Sequence, residues 1–181
     1  NDLFLKAVTV MYKQDPSANS AYYLYRLHSS RDNVEEAIKY MEEAIAAEGT
    51  ESDMDWSYEL AAFCYKNGMS AKAFELASTV AANSETLAGK AYFLIGTIWG
   101  TTTCGGDEIS RRAPYWVACD YMNKAKNADP TLAEEANRYI SQYSVYFPQA
   151  AEAFMYDITN GQAYTVVCGG MRATTTVRTV K

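Results

Sequence analysis

The sequence contains little histidine, proline or glycine: of 181 residues, one is His, four are Pro and ten are Gly. A single histidine, His28, excludes multi-histidine metal sites and leaves one imidazole for acid–base catalysis. Few prolines and glycines favour uninterrupted helices or strands, because these two residues are the ones that most often end them. We therefore expect regular secondary structure and neither a metal nor a cofactor.

Positive charge is also scarce. Acidic residues outnumber Lys and Arg by 22 to 16, so the formal net charge is −6. Nucleic-acid binding depends on a basic surface that neutralises phosphate groups. The composition therefore excludes nucleic acid as the expected partner.

No stretch of the chain is apolar for long enough to cross a bilayer. The longest uncharged segment near a predicted helix, 91–106, is interrupted by four glycines and three consecutive threonines. A membrane-spanning helix needs about 20 consecutive apolar residues. The chain begins at Asn1 without an initiator methionine or a leader peptide, from which we expect a fragment or a mature form.

Tyrosine is abundant, with 15 copies among 24 aromatic residues. Hydrophobic residues make up 49% of the chain and charged residues 21%, which are ordinary values for a folded protein. The length corresponds to about one domain. We interpret the aromatic content first as helical packing.

Small residues recur at helical spacing in three places. The three sets are Ala37 with Ala44; Ala73, Ala77 and Val80; and Ala118, Met122 and Ala125. Twelve residues before Ala37 and Ala73 lie the pairs Leu24-Tyr25 and Leu60-Ala61, and Ile95-Gly96 lies 22 residues before Ala118. Each set therefore predicts a helix–turn–helix unit with small residues where its two helices approach most closely. The third unit carries a ten-residue insertion.

The separation of the marker alanines is 36 residues for the first pair and 45 for the second, or 35 without the insertion. This period resembles the tetratricopeptide repeat (TPR), whose unit is about 34 residues. The closing proline of that repeat is matched in Asp15-Pro16 and Asp129-Pro130. The resemblance implies a mainly α fold, a right-handed α-solenoid of antiparallel helix pairs.

This division gives a half-repeat over 1–16, repeats over 17–51, 52–84 and 85–130 with an insertion at 101–112, and a capping helix over 131–147. Within them the pattern predicts helices over 3–13, 18–30, 33–48, 53–67, 71–82, 85–100, 111–127 and 132–146. Asp32, Ser52 and Thr131 each precede an acidic residue by three positions, so we expect all three to cap helix starts.

Beyond the helices, 150–181 is predicted to form a small antiparallel β meander. Strands are expected over 154–159, 162–168 and 171–180, because Asn160-Gly161 and Gly169-Gly170 suit tight hairpin turns. A meander of this size is marginal alone, so it should pack on the last helices.

The end of the chain is similar to exported TPR proteins of Bacteroides-type bacteria. The similarity lies in Cys104-Gly105-Gly106, in the run 154–157 and in the ending 164–179. It implies a periplasmic, secreted or cell-envelope location, with the cytoplasm as the alternative, and it implies no reaction.

The resemblance also implies that the first helix of each pair lines a concave groove. Tyr22, Tyr58 and Phe93 occupy equivalent positions there and would form an aromatic ladder. The other residues mapped to this face are Asn19, Arg26, Asp55, Ala62, Tyr65, Lys90 and Thr97. The alternative is that the aromatic residues pack on neighbouring helices or on the C-terminal tail, since helix-spaced aromatics usually belong to the core.

Two of the four cysteines, Cys104 and Cys168, each precede Gly-Gly. Two similar loops at one end of a solenoid could meet, and in an oxidising compartment they could form a disulfide. The alternative is two unrelated turns, each with a half-buried thiol. Cys64 and Cys119 are predicted to be small hydrophobic packing residues, and no cysteine spacing matches a zinc site.

A nucleophilic pair of a cysteine with His28 is the one enzyme hypothesis with named parts. It is disfavoured because His28 and Cys104 lie two repeats apart, and solenoid repeats contact only their neighbours. We predict a non-enzymatic scaffold that binds a protein or peptide partner. This sequence is expected to be the C-terminal part of a longer envelope protein. The alternatives are a glycan-binding outer-membrane receptor component and a structural cap of a longer repeat array.

Overall fold

The computed structural model describes residues 2–49 and 54–180. The helices in that part of the chain are α1 (Asp2–Gln14), α2 (Ala18–Ser29), α3 (Val34–Glu48), α4 (Asp55–Lys66), α5 (Ser70–Asn83), α6 (Glu85–Thr101), α7 (Glu108–Ala128), α8 (Ala133–Ser144) and α9 (Ala150–Met155). The strands are β1 (Ala163–Cys168) and β2 (Met171–Thr176). The eight helices predicted from the sequence are confirmed as α1 to α8, with ends that differ by three residues or fewer.

The helices pack as antiparallel pairs, α2 with α3, α4 with α5 and α6 with α7. The small residues that marked the repeat are buried where the paired helices meet. Ala37, Ala73 and Ala118 are each 0% exposed. A small side chain at such a position lets two helix backbones approach closely. The mainly α fold of paired helices is therefore confirmed.

Two of the expected helix caps are wrong. Asp32 lies in a turn with a positive φ of 58°, and the residue preceding α3 is Asn33, whose side chain makes no capping hydrogen bond. Thr131 lies in a short 3₁₀ helix, Pro130–Leu132, and the Asp129 carboxylate accepts the Thr131 N–H at 3.0 Å. The third, Ser52, lies outside the described residues.

The helix α7 begins earlier than expected. The Asp107 carboxylate accepts the Ser110 N–H at 2.8 Å and so caps the first turn of the helix. This cap makes the last five residues of the predicted insertion, 108–112, helical. The remaining loop between α6 and α7 is short and contains Cys104.

The predicted strand over 154–159 is wrong, and the expected three-stranded meander is a two-stranded hairpin. Gln149 and Glu152 form a capping box that starts α9, and this helix continues through Phe154 and Met155. Their side chains are 74% and 81% exposed, so two successive apolar residues lack the alternation of a half-buried strand. β1 and β2 pair antiparallel through a Gly169-Gly170 turn, and both of these glycines have positive φ.

The hairpin lies against α7 and is held there by hydrogen bonds and an ion pair. Trp116 Nε1 donates to the Arg178 carbonyl at 2.8 Å, and the Arg178 guanidinium donates to the Trp116 carbonyl at 2.8 Å. The same guanidinium pairs with the Asp120 carboxylate at 2.8 Å. Val166 of β1 and Val177, which directly follows β2, are buried. The chain after β2 is thus anchored to α7, and the Val180 N–H also donates to the Pro148 carbonyl at 3.0 Å.

A disulfide joins Cys104 to Cys168, with 5.6 Å between the Cα atoms and a sequence separation of 64. It connects the loop after α6 to the end of β1. Cys64 and Cys119 are free and buried. Within residues 2–49 and 54–180, no helix combines the length and apolarity that crossing a membrane requires.

A substitution at Gly89 tests the close approach of α6 to the end of α7. A Cβ added at Gly89 would lie 2.5 Å from the Asp129 Cβ, which cannot move without the backbone. We expect Gly89→Ala to lower the free energy of unfolding by about 1 to 2 kcal/mol, because overpacking outweighs the gain in helix propensity. Urea denaturation measures this change. Gly105→Ala is the control, since no atom lies within 4 Å of its added Cβ, and equal stability of the two variants would contradict the packing argument.

The disulfide predicts a thiol count. Protein purified without reductant, unfolded and alkylated should gain label at Cys64 and Cys119 alone, as measured by intact mass. Cys104→Ser should lower the free energy of unfolding by about 4 kcal/mol on the chain-entropy model for a loop of this size. Reductant should destabilise the wild type by a similar amount and leave Cys104→Ser unchanged. Four alkylated cysteines in the wild type would rule out the bond.

Candidate partner-binding surface

The residues predicted to line a groove lie on α2, α4 and α6, the first helices of the three pairs. These three helices and α8 share one side of the molecule, which we call the first-helix face. Tyr22 on α2 is half-buried there, and its ring stacks on Trp56 of α4 with 4.8 Å between ring centroids and 4° between planes. Its hydroxyl donates to the Glu59 carboxylate at 3.0 Å. Burial raises the pKa of Tyr22, and the hydrogen bond to Glu59 adds to the effect.

Tyr58 and Tyr65 on α4 are both half-buried. Burial raises the pKa of Tyr58. The Tyr65 hydroxyl lies 3.0 Å from the Thr101 Oγ1 near the end of α6. Tyr65 therefore links the first helices of two successive pairs.

Phe93 on α6 contacts α8. Its ring meets the Tyr139 ring edge-on, with 5.5 Å between centroids. Tyr22 and Phe93 thus both pack in part against the next first helix along the chain, which was the alternative considered from the sequence. Each still keeps part of its surface in solvent.

The charged residues predicted for this face are solvent-exposed. Arg26 on α2 and Lys90 on α6 are both exposed. Neither forms a salt bridge within residues 2–49 and 54–180. Two cationic groups are therefore available beside the half-buried aromatic rings.

A pocket of about 790 Å³ lies where α6, α7 and α8 converge. Tyrosine rings dominate its walls, and Tyr115 stacks on Tyr146 with 4.4 Å between centroids. The lining residues are Gly100, Tyr115, Arg138, Ser141, Gln142, Tyr143, Val145 and Tyr146. The absence of a side chain at Gly100 leaves room for the Tyr143 ring, with which an added Cβ would clash. The pocket suits a flat or apolar group of a ligand, and Arg138 places a cation beside that group.

Sequence reasoning missed Trp56, Tyr139 and the tyrosines of the pocket. Trp56 lies two residues before the ladder position Tyr58, about 200° away around the helix, so the ladder spacing did not indicate it. Tyr139 and Tyr143 lie one turn apart on α8, a signal that the sequence carried. The position of Tyr115 in the pocket wall could not be predicted, because it depends on how the first turns of α7, which begins earlier than expected, pack against the end of α8.

The possible catalytic groups are buried. His28 stacks on Tyr40 with 5.3 Å between centroids, and burial lowers its pKa. Burial also raises the pKa of Cys119 to about 11 and raises that of Cys64. A thiol in such surroundings is a poor nucleophile, because the thiolate is the reactive form. In the described part of the chain, no three His, Cys, Asp or Glu side chains are grouped to hold a metal ion.

Two crystal structures of MamA, a TPR-like protein, are similar to this chain. Each has a TM-score of 0.51 and 14% sequence identity. One match covers 78% of this chain and 85% of the MamA chain, and the other covers 86% and 85%. No family model and no curated protein matches the sequence. The likeness supports a TPR-like α-solenoid fold, to which this chain adds the small β hairpin described above.

The buried imidazole predicts a pH dependence of stability. The pKa of His28 lies below its ordinary 6.5, since burial and the charges of Arg31 and Lys39 outweigh Glu36. The unfolded chain therefore binds the proton more tightly, so this contribution to stability is complete above about pH 6.5 and falls as the pH drops. Between about pH 7.5 and 5.5, we expect the wild type to lose more free energy of unfolding than His28→Gln. Denaturation curves at three pH values measure this, and parallel losses would contradict it.

Proposed function

We propose that this TPR-like solenoid is a non-catalytic scaffold that binds a protein or peptide partner on the first-helix face. The observation that carries the proposal is the combination of fixed, half-buried aromatic rings with exposed cations on that face. Tyr22, Tyr58 and Phe93 supply the rings, and Arg26 and Lys90 supply the cations. Rigid aromatic side chains give contact area at a low cost in conformational entropy.

The ring of Tyr22 is held in place before any partner arrives. The stack on Trp56 and the hydrogen bond to Glu59 fix its position. A preorganised contact residue loses little rotamer freedom on binding. Arg26, one turn further along α2, would then pair with an acidic side chain of the partner.

The tyrosine pocket at the end of the same face would receive an apolar or aromatic side chain. Its walls include Tyr115 and Tyr143, and Arg138 lies at its rim. A buried anchor surrounded by polar groups is the usual pattern of an energetically important contact. The proposed partner is thus a segment with an apolar anchor and acidic flanking residues.

The disulfide favours an oxidising location, the periplasm, cell surface or exterior, because glutathione and thioredoxin keep cytosolic thiols reduced. We propose that the protein acts in the cell envelope, with the cytoplasm as the alternative.

Charge reversal on the first-helix face tests the proposal. Pull-downs from an envelope extract would compare the wild type with Arg26→Glu/Lys90→Glu, in which exposed side chains change without loss of packing. We expect recovery of the partner to fall by about tenfold or more, which corresponds to about 1.4 kcal/mol. Quantitative mass spectrometry measures the recovery.

The matched control is Lys13→Glu/Lys39→Glu, which makes the same change of charge on exposed residues of α1 and α3. It should recover the partner as the wild type does. Equal recovery by both double variants would remove the first-helix face as the binding surface. It would favour the alternative of a structural cap, to which the exposed Leu3 and Met11 on α1 also point.

A glycan ligand is the second candidate, favoured by the stacked Tyr115 and Tyr146 rings beside the pocket. Aromatic faces with polar tips suit the apolar faces of sugars. Binding on a glycan array that Tyr115→Ala abolishes would support this function, and an array without binding would reject it.

A further inference from the structure

The outer edge of β2 has backbone groups that the hairpin does not use. Val177 N–H donates to the Gln162 carbonyl and the Val177 carbonyl accepts the Gly161 N–H, each at 2.8 Å, so the backbone groups of Val177 point toward the β1 side of the hairpin. Hydrogen-bonded and non-hydrogen-bonded pairs alternate along an antiparallel ladder. Continuing the register makes Val167 with Arg172, and Thr165 with Thr174, non-hydrogen-bonded pairs. The N–H and C=O groups of Arg172 and Thr174 therefore point away from β1.

This edge borders a crevice on the side of the second helices. The crevice consists of two cavities of about 620 Å³ each, and Arg172 lines both of them. Phe74 and Leu76 of α5 form the floor of one, and Tyr121 of α7 forms the floor of the other. No residue of β1 lines either cavity. The space therefore lies beside the β2 edge and above α5 and α7.

β2 lacks the features that usually protect an edge strand. It contains no proline, its one charged residue is Arg172, and its pairing with β1 runs through six consecutive pairs without a bulge. Natural edge strands are commonly protected by proline, bulges, several charges or a covering element. Arg172 and Thr174 are instead exposed.

We propose that an extended, acidic peptide segment of a partner protein binds here by adding a third strand to β2. The free backbone groups of Arg172 and Thr174 would form the ladder, and alternate side chains of the peptide would enter the crevice. Phe74 and Tyr121 would contact the inward side chains. The site lies apart from the first-helix face and does not depend on the function proposed for it.

The charged residues of the crevice favour an acidic residue of the peptide at the α7 end. Asp120 is already paired with Arg178 and accepts the Thr175 hydroxyl. Lys124 lies over the Tyr121 ring at 4.6 Å. Within residues 2–49 and 54–180, neither Lys124 nor Arg172 forms a salt bridge. Two uncompensated cations would attract a carboxylate of the peptide.

The α5 end has no such excess of positive charge. Lys72 is paired there with Glu42, and Glu75 lines the same cavity. Lys72 and Arg172 balance Glu42 and Glu75 in this cavity, so an acidic side chain gains no net attraction here, whereas an apolar one would contact Phe74 and Leu76. The difference between the two ends fixes where along the peptide its carboxylate should lie.

The cross-strand pair Thr165 and Thr174 provides a matched test. Both are exposed threonines whose N–H groups point away from the partner strand, so proline at either position removes no hydrogen bond of the hairpin. Only Thr174 faces the crevice. The probe is the fluorescein-labelled peptide acetyl-TVTETVT-amide, and its lysine counterpart acetyl-TVTKTVT-amide is the charge control.

Fluorescence anisotropy should show saturable binding of the acidic probe to the wild type below about 1 mM. Thr174→Pro should weaken this binding by about tenfold or more, while Thr165→Pro should bind as the wild type does. The acidic probe should bind more tightly than the lysine probe, and Arg172→Gln should reduce that preference. In two-dimensional amide NMR spectra, the signals of Arg172 and Thr174 should shift, and those of Thr165 and Val167 should not.

Three results would overturn the proposal: no saturable binding, equal weakening by the two proline variants, or amide shifts at the β1 edge instead. If Thr174→Pro melts below Thr165→Pro, the pair Thr174→Asp and Thr165→Asp replaces it. These variants keep the N–H group and add a charge that repels the acidic probe at one edge only. Arg26→Glu/Lys90→Glu should bind the probe normally, which separates this site from the first-helix face.

Discussion

The close approach of helix backbones is the constraint on which the rest of the structure depends. Alanine at positions such as Ala37, Ala73 and Ala118, and glycine at Gly89 and Gly96 between α6 and α7, leave little side-chain volume between paired helices. Several aromatic side chains pack instead between successive pairs, as the contacts of Tyr22 with Trp56, Phe74 with Trp99 and Phe93 with Tyr139 show. The small residues therefore set the distance within a pair, and these aromatic residues join one pair to the next.

The hairpin depends on the same arrangement through α7. This helix carries Ala118 toward α6 and, on other sides, presents Trp116 and Asp120 to the end of the chain. Trp116 and Arg178 exchange two hydrogen bonds with each other's backbone carbonyl groups. A two-stranded hairpin is marginally stable in water on its own. Its position beside α5 and α7 is therefore set by the helix that also forms the third pair.

The helices and their pairing could be predicted from the sequence because the spacing of small residues is a local, repeated signal. Strand β2 could be predicted because Gly169-Gly170 supplies the two positive φ angles of its turn. The first expected strand was wrong because the capping box of Gln149 and Glu152 favours a helix that runs through Phe154. Local capping chemistry outweighed an apparent period of two.

The candidate surfaces were less accessible to sequence reasoning. Tyr22 and Phe93 could be placed by the repeat, but their contacts with Trp56 and Tyr139 depend on the distance between successive pairs. The β2 edge became visible only once the hairpin was seen beside α5 and α7, since no property of residues 171–176 alone indicates the empty space next to them.

The Cys104–Cys168 bond also determines how tension would pass through the molecule. It closes α7, α8, α9 and β1 into a covalent ring. A force applied to the chain after Cys168 reaches the loop at the end of α6 directly through this bond, without stretching the segments inside the ring. The helices α7, α8 and α9 are then sheltered from load, and α6 and the earlier repeats would extend first.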